Sequence, residues 1–203
     1  MNGHLVHGIH TPNGDPKVKA LIAYIASLFE NFYYPDYGWI AALETRRVNP
    51  IIVGVMLPYI QPGDIVFCHS NGASVGYDLV KAGAPIGGLV LIDAALRRDI
   101  VLPPTVKFCH VYYNAGDEIT MLAQAVAQLP LTLVDPNWGD MGHYGPLIAD
   151  PYTLSITTSI DCAHTQGMMD DEGHSTIFGS PEIEVWGPYI ANKVKDAICP
   201  IQT

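Results

Sequence analysis

Ser70 is the residue from which chemistry can be read most directly. It sits in "DIVFCHSNGAS", residues 64–74, where the strand formers Ile65, Val66 and Phe67 run into an abrupt turn and Gly72 opens a helical stretch. A serine hydroxyl is a weak nucleophile near neutral pH. It needs a histidine to take its proton, an acid to fix the imidazole tautomer, and N–H donors for the developing oxyanion. The chain offers an acid, Asp117, in the glycine-containing turn of "VYYNAGDEI", and a histidine, His174, in "DDEGHSTIF". Each falls just after a later strand-like run, in the order Ser, Asp, His. The pattern G-x-S-x-G asks for glycine two residues before the serine, and Cys68 stands there instead. Cysteine is small and often buried, so the departure weakens the pattern without excluding it.

Other residues compete for these roles. Asp93, closing "LVLID", is an alternative acid one strand earlier; chain order favours Asp117. His7, His10, His69 and His143 could suggest a metal cluster, but no pair has the i, i+4 helical spacing or a matching carboxylate, so surface or supporting roles are expected and no metal is assigned. His69 reads as the variable residue of the turn. Strand alternation points the Cys68 thiol into the core. Phe32, Tyr33, Tyr34 and Tyr37 read as core and rim packing, and Met168 and Met169 either line an apolar acyl pocket or belong to a plain loop.

Positioning such groups requires a scaffold, and apolar runs alternating with helical periods provide one: a mostly parallel α/β sheet with helices on both faces. Strands are expected at His4–His7, Phe32–Tyr34, Asp64–Cys68, within "IGGLVLIDAAL" and "VKFCHVYYNAGDE", and at 154–161. Asp15–Pro16 reads as a helix start with Val18, Leu21, Ile22, Ile25, Leu28 and Phe29 on one face. A second helix start, Asn-Pro, is expected at Asn49–Pro50, a helix over 72–81 closed by Gly83, another in "ITMLAQAVAQL", and a last one in "SPEIEVWGPYIANKVKDAI", where Gly187 and Pro188 kink it or mark its start. Long loops remain at 134–153 and 162–180, a length that usually signals function or mobility.

Composition narrows the classes. With 203 residues, 49% hydrophobic, one domain over 1–203 is expected. A net charge of −10, from 20 acidic and 10 basic residues, provides no footprint for nucleic acid or anionic lipid. The start "MNGHLVHGIH" does not read as a targeting segment, and no apolar stretch is long enough to span a bilayer, which leads to the expectation of a soluble, cytoplasmic protein. The four cysteines, Cys68, Cys109, Cys162 and Cys199, are widely spaced and read as reduced thiols.

Taken together, "HGIHTPNGD", "CHSNGA", "NAGDE" and "GHSTIF" resemble a minimal α/β-hydrolase over roughly residues 4–196. "FCHSNGASVGYDLVKAGAPIGGLVLIDAALRRD" with "WGDMGHYG" is also similar to small hydrolases encoded in bacteriophage genomes. The resemblance implies an α/β-hydrolase fold, no cofactor, and oxyanion donors carried over onto Gly8 or Ile9 and onto Asn71; the length, once the core elements are assigned, leaves no room for a separate cap domain. A serine hydrolase cleaving a carboxylic ester through an acyl-enzyme is expected, and the shallow site that an uncapped chain leaves suits a small or surface-presented ester. An amidase or thioesterase on the same residues, or a silent binding protein on the same scaffold, are the alternatives.

Overall fold

The computed structural model describes residues 1–9, 15–38, 41–128, 133–165 and 173–199. In chain order the elements are β1 (Asn2–Val6), α1 (Pro16–Ile25), β2 (Asn31–Tyr33), α2 (Thr45–Met56), β3 (Ile65–His69), α3 (Gly72–Lys81), β4 (Gly88–Ile92), β5 (Phe108–Tyr113), α4 (Glu118–Ala127), α5 (Met141–Tyr144), α6 (Pro151–Ile156), β6 (Thr157–Asp161) and α7 (Glu182–Ile198). The strands form one six-stranded sheet in the order β2-β1-β3-β4-β5-β6, and every neighbouring pair is parallel. Strand order reverses between β1 and β3, and in open α/β sheets ligands bind beyond the carboxyl ends of the strands at such a reversal.

Alternation along the strands fills both faces. Val66, Cys68, Leu89, Leu91 and Val111 share one buried cluster with Ile52, Val53 and Met56 of α2 and Val75 and Leu79 of α3. Ile65, Phe67, Val90, Ile92 and Tyr112 point the other way, into a cluster with Leu21 and Ile25 of α1 and Trp186, Ile190 and Val194 of α7. A sheet covered on both sides explains why β3 and β4 are apolar almost without interruption. No helix among the described residues is long and apolar enough to cross a membrane.

The expected elements are present, with differences at their ends. β1 begins two residues before His4, β2 one residue before Phe32, and β3 runs one residue past Cys68, so Ser70 follows the strand directly. The Asn49–Pro50 pair does not start a helix. α2 begins at Thr45, fed by a single 3-10 turn over Ala42–Glu44, and carries Pro50 on an exposed position inside it. Asn49 is fully buried there, and its amide serves a tertiary contact instead of a cap. Residues 154–156 are helical: Asp150 caps α6 by accepting the Thr153 N–H at 2.7 Å, with Pro151 at the first position, so β6 starts only at Thr157. α7 runs unbroken through Gly187 and Pro188. A Cβ on Gly187 would lie 2.3 Å from the Tyr24 ring, so this glycine serves the packing of α7 on α1.

Cys68 owes its place to the facing helix. A Cβ on Gly76 of α3 would sit 2.3 Å from Cys68 Sγ. The small residue that the elbow pattern asks for in the strand is therefore supplied across the contact. Gly76→Ala alone is expected to destabilise by about 1–3 kcal/mol through overpacking, although alanine is otherwise favoured over glycine in a helix by about 1 kcal/mol. Adding Cys68→Ala removes the clash, since the nearest remaining atoms are Leu89 Cδ1 at 3.5 Å and Cys68 Cβ at 3.7 Å. Urea unfolding of the two single variants and the double should show strong non-additivity, with the double more stable than Gly76→Ala.

His110 on β5 is 7% exposed, and burial, reinforced by Lys193, lowers its pKa to about 4 from the ordinary 6.5. The unfolded chain therefore binds this proton first as pH falls. Stability should decline between those two values, and His110→Gln should flatten that part of the pH–stability curve measured by denaturant unfolding.

Candidate active site

The turn between β3 and α3 contains only Ser70 and Asn71. Ser70 has φ +54°, a left-handed conformation that costs a non-glycine residue about 1–3 kcal/mol and persists only where its surroundings fix it. Here they do. The Ser70 N–H donates to the Ile92 carbonyl at 3.1 Å, and the Ser70 carbonyl accepts the N–H groups of Ala73 at 3.0 Å and Ala95 at 3.1 Å. Gly72 is required by close approach, because a Cβ would lie 2.1 Å from the Val6 carbonyl oxygen. The helix thus starts directly against the end of β1, and Ser70 is pushed to the top of the sheet.

Three of the residues singled out from the sequence meet there. Ser70 Oγ lies 2.9 Å from His174 Nε2, and His174 Nδ1 lies 3.0 Å from each carboxylate oxygen of Asp117. A proton on Nδ1 donated to Asp117 leaves Nε2 as the acceptor for the serine hydroxyl, which fixes the neutral tautomer. Asp117 is fully buried in the turn between β5 and α4, and its Oδ1 also accepts the Thr120 N–H at 3.0 Å, capping α4. The His174 side chain is 12% exposed, so the imidazole is sheltered without being sealed off.

Asp93, the alternative acid, does different work. Its Oδ2 accepts the Ser175 N–H at 3.1 Å and its Oδ1 the Asn114 side-chain N–H at 3.3 Å. It therefore anchors the backbone next to His174, where Ser175 itself has φ +67°. His69, read from the sequence as a variable residue, is a partner of the same segment. Its Nε2 lies 2.8 Å from Ser175 Oγ, its ring stacks on His174 with centroids 5.2 Å apart, and Phe178 packs edge-on against it at 4.8 Å. A histidine immediately before the serine was the available signal; its partner lies 106 residues away along the chain.

The segment after β1 also runs against Ser70. A Cβ on Gly8 would approach Ser70 Cβ to 2.8 Å and Oγ to 3.2 Å, so glycine is needed for the backbone to come this near. His7 is buried, with its ring stacked on Tyr37 at 3.7 Å; the Tyr37 hydroxyl donates to the His7 carbonyl, and His7 Nδ1 donates to the Gly8 carbonyl at 2.7 Å. Burial lowers the His7 pKa, which favours the neutral ring. Since the Gly8 carbonyl is held by the His7 ring, the Ile9 N–H of the same trans peptide faces the other way. Asn71, at the start of α3, has an N–H with no intrahelical partner.

Among the described residues, the ligand-capable atoms of His69, Asp93 and His174 lie within 4.8 Å of one another. His174 is committed to Ser70 and Asp117, and Asp93 to Ser175 and Asn114. Of the other histidines considered for a metal, His7 stacks on Tyr37, and His143 lies on α5 against Tyr144. His10, Met168 and Met169 lie outside the described residues. Burial pushes the Cys68 thiol well above its ordinary range and that of Cys109 up to about 12, so neither supplies a thiolate near neutral pH.

No protein-family model matches the sequence, and no curated protein sequence matches it either. Solved structures do. The chain superposes on mouse alpha/beta hydrolase domain-containing protein 10 with a TM-score of 0.61 at 12% identity, covering 96% of this chain and 90% of that one. It superposes on a protein of the alpha/beta hydrolase superfamily from Xanthomonas campestris pv. campestris with a TM-score of 0.55 at 14% identity over 97% of both chains. For Aspergillus fumigatus lipase B the TM-score is 0.57 at 12% identity, over 87% of this chain and 49% of the lipase. Identities this low speak to fold alone, and on that level, with its six parallel strands and helices on both faces, the chain has the α/β-hydrolase fold.

Proposed function

We propose that this chain is a serine hydrolase that cleaves a carboxylic ester through an acyl-enzyme, acting as one domain over residues 1–203. The observation that carries the reading is the hydrogen-bonded line from Ser70 through His174 to the buried Asp117, with spacings of 2.9 and 3.0 Å. Ser70 Oγ adds to the ester carbonyl as His174 Nε2 takes its proton. Asp117 holds the resulting imidazolium in orientation and offsets its charge. The carbonyl π electrons move onto oxygen, and that oxyanion is met by the N–H groups of Asn71 and Ile9, with Gly8 leaving the space for it. Collapse of the tetrahedral species breaks the bond to the alcohol oxygen, which takes the proton from Nε2. Water, deprotonated by the same nitrogen, then repeats the sequence on the acyl-Ser70 bond and frees the acid.

A carboxylic ester is preferred over an amide because its carbonyl carbon is the more electrophilic and its alkoxide the better leaving group, so a single serine-histidine pair has less of the barrier to remove. The naming of one structural neighbour as a lipase agrees with ester chemistry. Among the described residues no separate cap domain stands over the carboxyl ends of the strands, which suits a small ester or one presented on a surface.

A fluorophosphonate probe should label the wild-type protein and fail to label Ser70→Ala; a folded wild type that does not react would refute the reading. Asp117→Asn should reduce kcat on p-nitrophenyl esters by about 10^3 to 10^4 with the fold intact, because the imidazole then takes the wrong tautomer. Asp93→Asn should lose far less, since it anchors the Ser175 backbone. The reverse ranking would reassign the acid.

A further inference from the structure

The side chain of Asn71 is turned away from the helix it begins. An asparagine at this position ordinarily caps, but here it makes no side-chain hydrogen bond to α3. It is fully buried instead, in a polar cluster beneath Ser70. Asn71 Oδ1 accepts the Trp138 indole N–H at 2.7 Å and an Asn49 amide N–H at 3.0 Å, while Asn71 Nδ2 donates to Asn49 Oδ1 at 3.0 Å. Asn49 Nδ2 donates further, to Asp135 Oδ2 at 2.6 Å. Asp135 is itself fixed, its N–H donating to Thr45 Oγ1 at 3.0 Å and its Oδ1 accepting the Asn137 N–H at 2.8 Å.

The ends of this cluster determine its sense. An indole N–H can only donate, and an ionised carboxylate can only accept. Flipping the Asn71 amide would set its NH2 against the indole N–H, and flipping Asn49 would set its oxygen against the carboxylate. Both amides are therefore locked in one orientation, and the lock spans α2, the start of α3 and the loop containing Asp135 and Trp138. Because Asn71 follows a residue held in a strained conformation, its backbone N–H is held from one side by the Ser70 turn and from the other by this clamp.

We propose that Asn49, Asp135 and Trp138 are positioning residues for the oxyanion site, acting by clamping the Asn71 side chain so that its backbone N–H stays aimed at the developing charge. The proposal rests on the reading of Ser70 as the nucleophile. Trp138→Phe keeps the ring and removes the donor; Asn49→Ala removes the link to Asp135. With p-nitrophenyl acetate, and with circular dichroism showing each variant folded at the assay temperature, both should lower kcat by about 10- to 100-fold with KM little changed. That is less than the about 10^2 to 10^3 lost on deleting an oxyanion donor outright. Rates of phosphonylation at Ser70 should fall in parallel.

In the wild type, the indole N–H resonance of Trp138, identified by its loss in Trp138→Phe, should shift when Ser70 is phosphonylated. Folded variants with wild-type kcat, including ones merely less stable, would overturn the proposal, as would an unmoved indole resonance. If Asn49→Ala does not fold, Trp138→Phe and the resonance decide. Failure of the underlying reading looks different: the wild type itself would neither turn over the ester nor react at Ser70.

Discussion

Everything at the top of this sheet depends on how closely α3 starts against β1. With Gly72 packed on the Val6 carbonyl, the chain has two residues in which to leave β3 and enter the helix, and Ser70 must take a left-handed backbone to do so. Its N–H and carbonyl are tied to β4 and to the segment after it, which spreads the strain over two neighbouring strands. The Cα–Cβ bond of Ser70 is aimed by backbone alone, before any partner side chain is considered. Glycine at position 8 follows from the same crowding, because the segment leaving β1 passes within contact of the raised serine.

The imidazole is fixed by a different economy. His174 lies beyond the last strand, and its orientation is assembled from groups on three strand ends: Asp117 after β5, Asp93 after β4 and His69 closing β3. Two buried aspartates divide the task. One meets the ring and the other meets the backbone of the next residue, so side-chain torsion and loop position are restrained separately. Asp117 also caps α4, which ties the imidazole's acceptor to the helix that follows it.

Much of this could be read from the residues in order. Strand-forming runs separated by helical periods gave away a two-sided parallel sheet, and Ser70, Asp117 and His174 could be picked out because each falls at a strand end. The misread boundaries have different causes. Asn-Pro at 49–50 looks like a helix start when viewed locally, yet its asparagine is consumed by a contact with Asp135, 86 residues away. Asp-Pro at 150–151 is a genuine start, a local cap outweighed in the reading by the strand-forming run at 154–161 that follows it. His69 and Trp138 were invisible as partners for the reason that hid the role of Asn49: donor and acceptor roles across such separations are set by the fold, and no period or spacing in one sequence records them.

The contact between Cys68 and Gly76 bears on how such chains are recognised. The requirement for a small residue belongs to a place in space between strand and helix, and either side of that place can satisfy it. A pattern that fixes the glycine to one chain position rejects this sequence. A pattern that asks for one vacancy shared by two positions, eight residues apart, accepts it, and would gather other chains in which cavity and filler have changed sides.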